Sequence, residues 1–196
     1  MKKIIIAILV LLVVYNSIYI KKLSALQQET TDTKGNAKQL QDLYQKGIIE
    51  NSLQTELGKL IQELNNQPEQ IFKEKGNLMG ISNSKCFLVN GAAQITNIKD
   101  GLILLDNGSS LDTKYIFGNE LRDASRFLQL ADFQAQKDLN HLTEALNDTI
   151  REKILPPQVA ILKVGDHITY IGACMIHKNE LPIAHLIIFP AIIKKS

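Results

Sequence analysis

The run LKVGDHITYIGAC, Leu162–Cys174, decides the fold. Gly165-Asp166 is a turn signal that opens a strand over His167–Ile176, and Gly172 falls inside that strand, where a barrel strand has to bend. Downstream, Asn179–Pro182 reads as a turn and Ile183–Ile193 as a last strand, with Pro190 marking an edge or a strand end. Upstream, short apolar or alternating runs predict strands at Cys86–Val89, Gln94–Ile98, Leu102–Leu105 and Lys114–Phe117. Asn90-Gly91, Lys99-Asp100-Gly101 and Asp106-Asn107-Gly108 punctuate them, because Asn-Gly and Asp-Gly tolerate positive φ. Between the two groups, Leu128, Ala131, Ala135, Leu139, Leu142, Leu146 and Ile150 keep helical spacing. Asp132 is placed to cap that helix after an irregular lead-in over Leu121–Leu130, and Pro156-Pro157 to stop it. Strands, one long helix, then two strands is the order of an OB-like five-stranded β-barrel (β-β-β-α-β-β) in the α+β class, with the helix closing one barrel end. The same short strands also fit a generic α+β meander.

Working toward the N-terminus, Leu53, Leu57, Leu60, Ile61 and Leu64 share one helical face, and Leu40, Leu43 and Tyr44 suggest a shorter helix before it. Gly47 weakens continuity between the two. Pro68 begins another short helix that ends near Gly76. Gln27–Ala37 is polar and reads as a linker. Met-Lys-Lys then precedes a charge-free apolar run, Ile4–Ile20, closed by Lys21-Lys22. As a helix that run is roughly 26 Å long at ~1.5 Å per residue, a little under a ~30 Å hydrocarbon core. It fits a cleaved signal peptide or an uncleaved anchor. Leu23-Ser24-Ala25 is a poor processing site, so the anchor is preferred. The expected organisation is a signal-anchor over 1–22, a linker over 23–37, a helical segment over 38–76 and the barrel domain over 77–196.

Charge narrows the partners. The chain is +2 overall, but with Lys2, Lys3, Lys21 and Lys22 set apart its 22 basic residues fall to 18 against 20 acidic ones, a net of −2. That argues against a nucleic-acid binder, which needs a basic face. His141, His167, His177 and His185 form no pair at metal-ligand spacing, and no phosphate loop, nucleophile elbow or HExxH motif is present, so neither a metal nor a cofactor is expected.

The stretch IFGNELRDASRFLQLADFQAQKDLNHLTEALND, Ile116–Asp148, resembles a family of predicted periplasmic lipoproteins carrying domain of unknown function 2291. The matching positions are Gly118, Leu121, Arg122, Asp123, Ala124, Phe127, Asp132, Phe133, Gln136, Ala145, Leu146, Asn147 and Asp148. Weaker likeness in LGKLIQELNNQPEQIFKEKG, FLVNG and ITYIGAC extends it over most of the chain after Ala37. The resemblance implies an envelope location and a transport-associated accessory role rather than a mechanism. The sequence departs from the family in having no cysteine at the end of the apolar run, which reads against a lipid-modified cysteine.

Arg122 and Asp123 are the candidate ligand-binding pair, since an Arg beside an Asp at a barrel mouth suits a carboxylate or a sugar hydroxyl. The competing reading makes them structural, in a junction built from Gly118, Arg122, Asp132, Phe133, Asn147 and Asp148. Cys86 and Cys174 lie on neighbouring strands of such a barrel, and a disulfide between them is feasible in an oxidising compartment. The sequence as a whole reads as a non-enzymatic binding module held in the inner membrane as a single-pass protein, its domain in the periplasm. Its expected partner is an envelope protein or a small ligand. The alternative is a sugar-binding accessory of a carbohydrate transport system.

Overall fold

A computed structural model describes residues 37–79, 82–133, 135–183 and 185–196. The signal-anchor over 1–22 and nearly all of the linker lie outside the described residues. Among the described residues no helix is long and apolar enough to cross a membrane.

Gly172 is the pivot of the sheet. Strand β5, His167–His177, runs antiparallel to β2, Ser84–Lys99, from Ser84↔His177 to Gln94↔His167. On its other side β5 pairs antiparallel with β6, Ile187–Lys195, and the register shifts between Ile171 and Gly172. A Cβ on Gly172 would fall 2.5 Å from the Phe189 carbonyl oxygen, so glycine lets β6 approach there. Pro190 stands opposite Gly172 at that irregularity, where no ladder N–H is needed. β2 turns through Asp100 and Gly101, both at positive φ, into β3, Leu102–Leu105. β3 pairs with β4, Ser110–Asp112, and β4 runs parallel to β6. β2 to β6 thus form a closed five-stranded barrel, which removes the open sheet edges. The short β1, Thr55–Glu56, adds in parallel beside Val89 and Asn90.

Several sequence expectations are corrected here. Asn90-Gly91 is not a turn, because β2 is one continuous strand. Gly91 serves a close approach instead: a Cβ there would lie 2.5 Å from Tyr170 Oη. The third barrel strand is Ser110–Asp112, not Lys114–Phe117, because Asp112 Oδ1 accepts from the backbone N–H of Lys114 and Tyr115 and turns the chain. The last strand begins at Ile187 rather than Ile183.

The helices also regroup. α1 is Leu57–Asn66, its N-terminal N–H groups capped by the Glu56 carboxylate, and Leu53 precedes it as an exposed turn residue. α2 is Pro68–Glu74. A wide-turned helical stretch over Leu43–Ile49 carries Gly47 within it. The expected irregular lead-in is a short helix and a turn, and the long helix follows it. α3, Glu120–Ser125, ends where Arg126 adopts φ 53°, a 3-10 turn spans Leu130–Asp132, and α4 covers Gln136–Asp148. Asp132 caps the 3-10 turn, not α4. Pro156-Pro157 does not stop the helical path, which continues through Thr149–Ile154 into α5, Leu155–Val159. The prolines sit in the first turn of α5, where their missing N–H is no loss. The barrel end is met by the short α3, which contacts β2, β5 and β6, and α4 joins it through Arg122.

Leu40–Ser196 forms one compact unit. Leu43, Ile48, Leu57, Leu60 and Leu64 belong to the same core as Phe87, Val89, Ile103 and Ile188.

The disulfide is also corrected. Cys86 and Cys174 are free and buried. The register sets Cys86 opposite Met175 and Phe87 opposite Cys174. One residue of offset turns the two sulfurs to opposite faces of the sheet. Burial, with a smaller push from the Asp123 carboxylate, raises the Cys86 thiol to about 12. Burial raises the Cys174 thiol too.

Candidate functional site

Arg122 and Asp123 are only 4% and 1% exposed. α3 packs between strands β2 and β5 and the helical stretch Leu43–Ile49, and Arg122 reaches out to Thr143 of α4. Arg122 Nε and Nη2 donate to Asp123 Oδ1 at 2.8 and 2.7 Å, and Nη1 donates to Thr143 Oγ1 at 3.0 Å. Asp123 Oδ2 accepts from the Met79 N–H, and its carbonyl oxygen accepts from Asn77 Nδ2. Ser125 Oγ donates to the Arg122 carbonyl, and Asn51 Nδ2 ties the Ser125 carbonyl to Gly47. A buried polar network of this kind is stable only when its members are satisfied. Its consequence is positional: it fixes the 77–79 segment beside the start of β2.

The other junction residues are spread around this network. Asn147, also buried, donates to the Gly118 carbonyl. Asp132 is exposed, accepts from Gln129 N–H and makes no contact with Arg122. Phe133 packs half-buried against the core. Asp148 accepts from Arg151, whose guanidinium lies 4.3 Å over the Phe117 ring.

The wall fixed by Asp123 borders an open groove of about 810 Å3, within the ~300–1,000 Å3 of ligand clefts. Phe72 and Lys73 come from α2, Lys85 from the start of β2, Arg126 and Leu128 from the segment after α3, and Lys178 from the turn that follows β5. Gly76 lets α2 come down on β2, since a Cβ there would lie 2.7 Å from Lys85 Cβ. Arg126 stands at positive φ, an uncommon conformation for a residue with a side chain, and its Nη2 donates to the Gly76 carbonyl at 2.7 Å. Four cations thus face one carboxylate, Glu69, which pairs with Lys178. Lys73 and Lys85 have no acidic partner among the described residues. In a domain of net negative charge this concentrates positive potential in one concavity.

Among the described residues the groove walls carry no histidine or cysteine, and their one hydroxyl, Ser82 Oγ, accepts from Ser84 N–H. Across the strand ends, Ser84 Oγ contacts His177 Nδ1, but no carboxylate orients that ring among the described residues. Among those residues no three or more His, Cys, Asp and Glu side chains converge on a metal-sized point.

A second, smaller cleft of about 380 Å3 lies on the outer barrel face. Leu102 and Leu104 form its floor, Tyr115, 58% exposed, stands at its side, and Asn97, Asp100 and Asp112 are at its rim.

Sequence reading missed the cations of the groove. Arg126 lies within the motif, yet nothing in its type announces a left-handed backbone. Lys73, Lys85 and Lys178 carry no spacing signal, because three separate elements bring them together.

The sequence model of a family described as "Predicted periplasmic lipoprotein (DUF2291)" matches residues 8–194. Among solved structures, the crystal structure of an OB-fold protein from Thermotoga maritima MSB8 is similar, with a TM-score of 0.65 and 22% identity over 83% of this chain and 95% of that one. At that identity the likeness shows the fold alone. No curated protein matches the sequence.

Proposed function

The chain belongs to the family of predicted periplasmic lipoproteins (DUF2291), and from that membership we propose a non-enzymatic, envelope-facing binding module whose cationic groove takes an anionic ligand. One observation carries this reading: Lys73, Lys85, Arg126 and Lys178 line a single groove against one carboxylate. Such a site attracts and orients an anion. Among the described residues its walls bring together no nucleophile with a base and no pair of carboxylates, the arrangements that acyl transfer and glycoside hydrolysis require. Arg122 and Asp123 hold the wall rather than touch the ligand. The apolar run Ile4–Ile20, with no cysteine at its end, supports a single-pass anchor in the inner membrane in place of a lipid.

Calorimetric titration of the full-length chain with citrate, inorganic phosphate, polyglutamate and phosphatidylglycerol vesicles tests the groove. At least one anion binds, and Lys73→Glu with Lys85→Glu removes that binding. Binding that is indifferent to the double charge reversal contradicts the reading.

The outer cleft favours a second reading, a saccharide-binding accessory. An exposed Tyr115 beside an apolar floor suits the C–H face of a sugar, and Asn97, Asp100 and Asp112 suit its hydroxyls. Saccharide binding lost in Tyr115→Ala and kept in the Lys73/Lys85 variant would favour it.

A further inference from the structure

Resting on the anionic-ligand reading of the groove, we infer that its occupant is an acidic peptide segment of a partner protein, carrying two or more carboxylates and an apolar side chain. The lining discriminates among anions. Sites for phosphate gather backbone N–H groups into a nest or a helix N-terminus and often present a free guanidinium fork. Here Arg126 has one Nη already engaged by the Gly76 carbonyl, and the unpaired charges are the ammonium groups of Lys73 and Lys85, point charges on separate elements. Two separated point charges match two separated carboxylates better than one compact trianion.

The apolar part of the groove points the same way. Phe72 and Leu128 are buried in its wall, while Leu130 at its mouth is 58% exposed. A small inorganic anion leaves Leu130 in water, whereas an apolar side chain flanked by acidic residues covers it. Asn83 and Ser82 add polar groups of the kind that meet a peptide backbone. The concave shape disfavours a membrane surface, since a bilayer presents its headgroups to flat or convex faces and cannot enter a groove bounded by α2 on one side and the Arg126–Leu130 segment on the other.

Fluorescence anisotropy for the labelled peptides, and calorimetry for phosphate and vesicles, on the full-length chain reconstituted in phosphatidylcholine nanodiscs test this. The probes are a labelled peptide alternating Glu with Leu, the same peptide with Gln for Glu, inorganic phosphate as competitor, and phosphatidylglycerol vesicles. The Glu peptide binds, the Gln peptide binds about tenfold or more weakly, and added salt weakens the first far more than the second. Lys73→Glu with Lys85→Glu abolishes binding, Leu130→Ala weakens it severalfold, and Lys59→Glu on α1 leaves it unchanged. Should the double reversal unfold, Lys73→Gln and Lys85→Gln made singly each weaken binding. Equal binding of the two peptides overturns the proposal. Charge-sensitive binding of phosphate or vesicles without the peptide overturns the ligand class and leaves the anionic groove standing. If no probe responds to the lysine substitutions, both fall.

Discussion

Arg122→Ala removes three donors from a site where Asp123 stays buried. The carboxylate keeps the Met79 N–H at 3.1 Å but loses both guanidinium contacts, and Thr143 Oγ1 loses the donor at 3.0 Å. Deleting one partner of a buried ion pair strands the other charge, which typically costs about 3–5 kcal/mol. For a domain of this size each kilocalorie lowers Tm by ~2–4 °C, so a fall on the order of 10 °C is expected. Urea unfolding followed by circular dichroism reads the midpoint, with the slope m unchanged if the fold is otherwise intact. Replacing both partners, Arg122→Met with Asp123→Leu, leaves no stranded charge and recovers most of the loss. A fall of under about 1 kcal/mol in Arg122→Ala would show that the pair does not hold the junction. Ligand binding lost with Tm unchanged would make Arg122 a recognition residue and refute its role as a wall support.

Other outcomes follow from the packing. Gly91→Ala pushes Cβ to 2.5 Å from Tyr170 Oη and is expected to cost ~1–3 kcal/mol, partly recovered by Tyr170→Phe, as thermal melts would show. Cys86 and Cys174 resist maleimide in the native protein and both react once it is unfolded, as mass spectrometry counts. Because the fold favours the Cys86 thiol, that contribution is complete below the ordinary ~8.5 and declines as pH rises toward about 12, so Cys86→Ala loses less stability over that range. The Lys195 ammonium, then the Lys163 N–H, hold Asp166 below the usual carboxylate range. Its contribution is present above ~3.9 and lost as pH falls from there, so the urea midpoints of wild type and Asp166→Asn converge in acid.

The barrel was legible in the sequence because turn chemistry is local. Asp100-Gly101 and Asn107-Gly108 are turns, and Gly172 bends its strand, as their dipeptides and position imply. Asn90-Gly91 has the same composition, yet it stays in β2, where Gly91 makes room for Tyr170 across the sheet, a residue far along the chain. Helical periodicity found Leu139, Leu142 and Leu146, but it could not show that Arg126 would turn left-handed and end a short helix inside the irregular lead-in. The motif residues Arg122 and Asp123 stood out in the sequence, but their burial and the lysine groove they support arise from elements that meet only in the folded chain. Cys86 and Cys174 were rightly placed on adjacent strands. Register, which one residue of offset decides, separates their sulfurs.

The central claim is that the groove bordered by Lys73, Lys85 and Arg126 is where this protein meets its partner. Its most direct test is photo-crosslinking in living cells from benzoylphenylalanine placed at Leu130, at the groove mouth, compared with Lys59 on α1. The account predicts a discrete adduct from position 130 that disappears when Lys73 and Lys85 are reversed to Glu. An adduct that survives the charge reversal, or one that forms equally from position 59, contradicts it.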